Sequence, residues 1–197
     1  MTGSADNRTA ILDAVLVVVS TRGPEALSIR NVAAVARVSI GAVQHHFRTR
    51  DALIIGAMTA VNDRFRARVR LRLEAEPSAT GRVRIFCEEL ACATDTGTDL
   101  VDAIVWTAFA ARASTDAGVR AIHAEDWALT ESAMLRLLTE AHPDSGVTPD
   151  DAALLLAVLD GIAVARAAEQ SSRMTTSRAI TLIDAALASI TGRVRAS

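Results

Sequence analysis

An all-α protein is predicted: a three-helix head, one long joining helix and a larger helical body. Three observations carry this. Apolar residues recur every three or four positions through most of the chain, and alternating strand patterns are almost absent. Two short helical patterns inside Ser28–Arg50 are separated only by Arg37 and Val38, which leaves room for nothing but a sharp reversal. From Arg50 to Glu76 a single apolar stripe then runs without a break. The head is placed at residues 7–53 and the body at 54–197.

The first helix is expected from Asn7 to Thr21, with Ile11, Leu12, Val15, Val18 and Val19 on its buried side. The polar residues 1–6 fall outside it, and Gly23 and Pro24 end it. The second helix starts behind Ser28, whose hydroxyl can accept from an orphan amide of the first turn, and buries Ile29, Val32, Ala33 and Ala36. Ser39 caps the third, where Val38, Val43 and Phe47 are spaced to close over the second. In such a helix-turn-helix the second helix of the pair enters the DNA major groove, and short or hydrogen-bonding side chains near its start meet base edges. Ile40, Gly41, Ala42, Gln44 and His45 suit that position.

Thr49 caps the long helix, whose stripe is Leu53, Ala57, Met58, Val61, Phe65 and Val69. Arg64, Arg66, Arg68, Arg70 and Arg72 alternate along it, and a spacing of two spreads them around the helix instead of forming one DNA-facing ridge, so a solvated, salt-bridged face is expected. After a break at Pro77–Gly81 come helical segments at Arg82–Ala93, Leu100–Ala113 and Thr115–His142. The scarce large rings Phe86, Trp106, Phe109 and Trp127 fall in these segments, with His123 on the face of Trp127, and they are the candidate lining of an interior cavity. Pro143–Val147 reads as a turn. A helix from Thr148 to Gln170 follows, with a cap, a proline at its first position and Asp150 and Asp151 on the positive end of its dipole. It is apolar nearly all round. With the last helix, Thr175–Ile190, it offers more apolar surface than one subunit can cover, which predicts a homodimer.

Composition narrows the function. No run of about 18 apolar residues exists to cross a bilayer and no signal peptide is legible, so a cytoplasmic protein is expected. Cys87 and Cys92 have no metal-ligand spacing and are expected as free thiols. His45 and His46, being adjacent, point about 100° apart on a helix and cannot chelate together. No phosphate loop, HExxH or nucleophile motif is present, so neither an enzyme nor a cofactor is expected. The overall charge is -2, but residues 1–50 hold six Arg against Asp6, Asp13 and Glu25, so a basic head precedes an acidic body.

Residues 8–61 resemble the N-terminal domain of the tetracycline-repressor (TetR) family. The likeness rests on Ile11, Val15 and Val19, then Thr21-Arg22-Gly23, Leu27 to Ala33, Val38-Ser39, Val43 to Phe47 and Arg50 to Leu53. Arg37, Gln44 and Arg50 stand where that family commonly has glycine, tyrosine and lysine. The resemblance implies DNA contacts from Arg30, Ser39, Gln44, His45, His46 and Arg50. It also implies a four-helix dimer interface from the last two helices, with Gly161, Ala163, Ala165 and Ala167 allowing close approach. Around Arg82, Trp106 to Phe109 and Leu159 to Gly161 the body is weakly similar to the betaine-regulator branch. The function expected on this basis is a ligand-responsive regulator, probable repressor in type, released from a double-stranded palindromic operator by a small apolar or amphipathic molecule. The alternative is a helical adaptor that has lost sequence-specific DNA binding.

Overall fold

The computed structural model describes residues 3–94, 98–144, 146–169 and 173–194, which contain nine α-helices and no strand. α1 spans Gly3–Arg22, α2 Ile29–Ala36, α3 Ile40–His46, α4 Arg50–Ala75, α5 Ala79–Leu90, α6 Asp99–Ala113, α7 Ala117–Ala141, α8 Pro149–Glu169 and α9 Thr176–Val194. The backbone of α1 is already helical at Gly3, within the stretch expected to lie outside it, because apolar periodicity marks where a helix is buried and not how far it extends.

Local chemistry sets the ends of these helices. Ser28, Ser39 and Thr49 accept from the amides of Asn31, Ala42 and Ala52 at 3.2, 3.0 and 3.0 Å, so each helix of the head after the first begins at a side-chain cap. α7 is capped by Asp116 and not by Thr115 as its sequence suggested; the carboxylate accepts from two amides, Gly118 and Val119, where a hydroxyl could rarely serve both. α8 starts with a reciprocal box: Thr148 Oγ1 accepts from the Asp151 amide, and Asp151 accepts from the Thr148 amide at 3.0 Å. α5 stops at Leu90, so Cys92 lies beyond the helix at φ 51° and not on it. The Gln170 end of the expected eighth helix lies outside the described residues.

Arg37 closes α2 at φ 57°, ψ 38°, the left-handed conformation that glycine adopts without strain. Arg37→Gly should therefore raise stability by about 0.5–1 kcal/mol, relief of strain outweighing the looser unfolded chain. Thermal unfolding reads this out, and a lower melting temperature contradicts it.

The head's apolar core joins α1, α2, α3 and the first half of α4 through Ile11, Val15, Val18, Val32, Val43 and Leu53, and takes in Val105 from α6. A second core holds the body together around Phe86, Leu138, Leu155, Leu159 and Ile183. α8 buries Leu155, Leu156, Leu159 and Ile162 but exposes Leu154, Ala157, Gly161 and Val164. Of the small residues expected to face a partner, Gly161 is exposed, whereas Ala163 is buried: two residues apart on a helix, they point to different sides. At the far end of α8 the buried Arg166 donates to the Met174 carbonyl at 3.1 Å and to Thr176 at 3.2 Å, tying α8 to α9.

Candidate DNA-reading face and ligand cavity

α3 is short, and its orientation depends on two buried side chains, Val43 at 0% and Phe47 at 5% exposure, which dock it on α1 and α4. Its outer side carries Ser39, Ile40, Gly41, Gln44 and His45 exposed, with Ala42 and His46 half-buried. Ile40 is 47% exposed, an apolar side chain held in water at the start of the reading helix. The two imidazoles meet edge-on at 5.1 Å and His46 in turn meets Phe47. Arg30 is exposed on α2. Arg37 and Arg48, which the sequence reading left out, are exposed and flank α3 on either side in the chain.

Arg50 is differently placed. Its Nε donates to the Leu27 carbonyl at 3.1 Å and its Nη2 to the Pro24 carbonyl at 2.8 Å, so the guanidinium clamps the start of α4 to the loop that leads into α2.

In the body, α4 to α8 surround a cavity of about 510 Å3. Phe86, Trp106 and Trp127 line it, joined by Phe65, whose ring lies 6.2 Å from that of Phe86. Phe109 and His123 are not among the lining residues. They stack behind it: His123 lies 5.0 Å from Trp106, 5.9 Å from Trp127 and 6.3 Å from Phe109. Trp106 also donates its indole N–H to Asp160 on α8 at 2.6 Å, which links the cavity wall to the helix with the exposed apolar stripe.

The cavity also has a polar side that the sequence did not reveal. Glu89, Asp102, Asp126 and Asp160 line it with Asn62, Arg66 and Arg68. Glu89 is 3% exposed and receives Arg68 at 3.2 Å and Arg72 at 3.1 Å, while Asp102 meets Arg68 at 2.9 Å. Burial works against the charge on Arg68, and Asp102 and Glu89 more than offset it, raising its pKa above the ordinary value. Arg72 continues to Glu88 at 2.9 Å, Glu88 to Arg84 at 3.1 Å, and Arg84 to Asp184 on α9, so one chain of ion pairs runs from the cavity wall to the last helix. The arginines of α4 are thus salt-bridged as expected, but Arg68 and Arg72 are not a solvated face. Four residues apart, they share the side of α4 that packs on α5.

Cys87 and Cys92 are free, and burial pushes the Cys87 thiol up to about 12, leaving it unreactive at neutral pH. Among the described residues no cluster of His, Cys, Asp and Glu could hold a metal ion, and no helix is long and apolar enough to cross a membrane.

A capped helix pair exposing a polar reading face, joined by one rigid helix to a helical body with an internal cavity, defines a helix-turn-helix regulator. Residues 11–57 match the family of bacterial regulatory proteins of the TetR type, and residues 79–192 match the C-terminal domain of BetI-type transcriptional repressors. The chain belongs to the TetR family of transcriptional regulators, in its BetI-type branch. A regulator from Rhodococcus sp. Rha1 superposes with TM-score 0.83 over 94% of this chain and 96% of its own, at 26% identity. One from Saccharomonospora viridis, solved in complex with choline, has TM-score 0.80 over 92% and 95% at 14% identity, a likeness of fold alone. The transcriptional regulator PksA of Bacillus subtilis is 38% identical over 63 residues, which are 32% of this chain and 31% of that protein.

Proposed function

We propose that two copies of this chain hold a palindromic operator and release it when a small molecule enters the cavity of the body. The observation that carries this reading is α4. Its start is clamped by Arg50 to the loop before α2, and its second half supplies Phe65, Arg66 and Arg68 to the cavity. One rigid helix therefore meets both sites. The DNA contacts proposed are Arg30, Ser39, Ile40, Gly41, Ala42, Gln44, His45 and His46, with Arg50 holding the reading unit and the α4 amides facing phosphate. The head spans 7–53 and the ligand-binding and dimerising body 54–197. We assign the protein no catalytic step, and place it in the cytoplasm with its operator.

The cavity supports a small amphipathic ligand: rings for an apolar body, and the carboxylates of Glu89, Asp102, Asp126 and Asp160 for a cationic head. The choline bound by the Saccharomonospora viridis regulator is a molecule of that kind.

The dimer is proposed through α8 and α9. Leu154, Ala157, Gly161 and Val164 form one exposed stripe at spacings of three and four, and α9 adds the exposed small residues Thr181, Ala185 and Ala188. A Cβ at Gly161 would meet nothing within 4 Å in the isolated chain. Gly161→Glu should leave the subunit folded and shift it to monomer in sedimentation at micromolar concentration. A dimer of undiminished stability in that variant removes α8 from the interface.

Sequencing of genomic fragments captured by the protein tests the whole reading. The expected site has two half-sites about 34–36 Å apart along the duplex. Binding with no sequence preference supports the adaptor alternative instead.

A further inference from the structure

A second cavity, of about 260 Å3, lies between the head and the body. Val15 and Val19 from α1, Met58 from α4 and Phe109 from α6 line it, all of them buried, so its walls are largely apolar. Two arginines from different helices line it as well: Arg50 at the start of α4 and Arg112 near the end of α6.

The bonds these arginines make leave donors over. Arg50 spends its Nε and Nη2 on two carbonyls, which are neutral acceptors, and its charge is opposed by Glu25 at 3.8 Å, a side chain 94% exposed. Arg112 gives Nη2 to Asp51 at 3.2 Å and to Asp116 at 3.0 Å, while its Nε is buried with no hydrogen-bond partner. A buried donor without an acceptor is costly, and natural structures rarely tolerate one without a reason.

We propose that this seam is a second small-molecule site and that it takes a small monocarboxylate with an apolar body. The carboxylate accepts from Arg112 Nε and from the remaining Nη1 of Arg50, bonds strengthened by charge on both partners. Glu25, Asp51 and Asp116 already face these guanidiniums, so a single negative charge is what the spare donors match, and a cation is excluded. The apolar part packs against Val15, Val19, Met58 and Phe109. A cavity of about 150 Å3 suffices for benzene, so this one admits an aromatic ring with a short acid arm. The seam falls below the about 300–1,000 Å3 of pockets for drug-sized ligands. A ligand here touches both head and body, and the inference stands whatever the larger cavity holds.

Calorimetric titration of the full chain with phenylacetate tests this, with phenylacetamide as the uncharged control. Phenylacetate should bind with a dissociation constant on the order of 0.1–1 mM, the range open to so small a ligand, and the amide about tenfold or more weakly. Arg112→Gln should bring phenylacetate down to the level of the amide. Ala108→Leu, which fills the seam and keeps both arginines, should abolish binding of either. Ala133→Trp, which fills the larger cavity, should leave it unchanged. If Arg112→Gln does not fold, the acid–amide comparison and Ala108→Leu still decide. Absence of phenylacetate binding up to about 10 mM, equal binding of acid and amide, or binding that survives Ala108→Leu and is lost in Ala133→Trp overturns the proposal.

Discussion

Replacing Gly56 with valine is expected to destabilise the head and weaken operator binding together. A Cβ at this position would stand 2.5 Å from Phe47 Cε1 and 3.3 Å from Leu12 Cδ2, both belonging to buried side chains of the head. In an open helix the loss of glycine would be favourable, by up to about 1 kcal/mol. Here the added atoms enter a filled core, where overpacking costs about 1–3 kcal/mol, and the second branch of valine puts the cost at the upper end. The ring that must move is Phe47, the residue that closes α3, so the strain is delivered to the reading helix. Melting temperature and operator affinity should both fall. An unchanged melting temperature would show that α4 does not press on Phe47 as described.

A second large effect is expected at Arg68. It is the partner that Glu89 and Asp102 share, with side chains 1% and 10% exposed respectively. Arg68→Ala leaves Glu89 with Arg72 but takes the guanidinium away from Asp102. Removing one member of a buried ion pair costs about 3–5 kcal/mol. Arg68 is itself 26% exposed, which places the expected loss at about 3 kcal/mol. Arg68→Met combined with Asp102→Leu should recover much of it, because an apolar replacement of a whole buried pair is often neutral. Denaturant unfolding of the single and double variants checks this; a single variant within about 0.5 kcal/mol of the parent, the range of ordinary surface changes, would mean that the pair carries no structural load.

What the sequence disclosed depended on how local each interaction is. The caps at Ser28, Ser39, Thr49 and Thr148 bond to amides two or three residues on, so they were legible in residue type and position alone. The turn between α2 and α3 followed from chain length, and the stacking of His123 with Trp127 from a spacing of four. Helix ends without a side-chain signal, such as the start of α1, were not legible. Phe109 and Phe86 show the limit for rings: both are buried aromatics, but nothing in the periodicity says that one faces the cavity and the other the back of Trp106. The polar wall was missed for a related reason. Glu89, Asp102, Asp126 and Asp160 come from four helices, and their convergence exists only after packing. One signal was present: Arg68 and Arg72 lie four apart among alternating arginines, a pair able to face a single acidic helix. Arg50 was assigned by analogy to a phosphate contact, whereas its observed partners, the carbonyls of Pro24 and Leu27, lie more than twenty residues away in the chain.

The central claim is that the α4 helix couples the cavity to the reading face, and coupling is measured directly as a reciprocal change of affinity. Trp106 and Trp127 in the cavity wall allow a ligand to be found by fluorescence quenching. Its affinity is then determined with and without operator DNA, and operator affinity with and without saturating ligand. The account predicts that each weakens the other by one and the same factor, between about 5 and 150. Two factors of one, with ligand and operator binding independently to the same dimer, would contradict it.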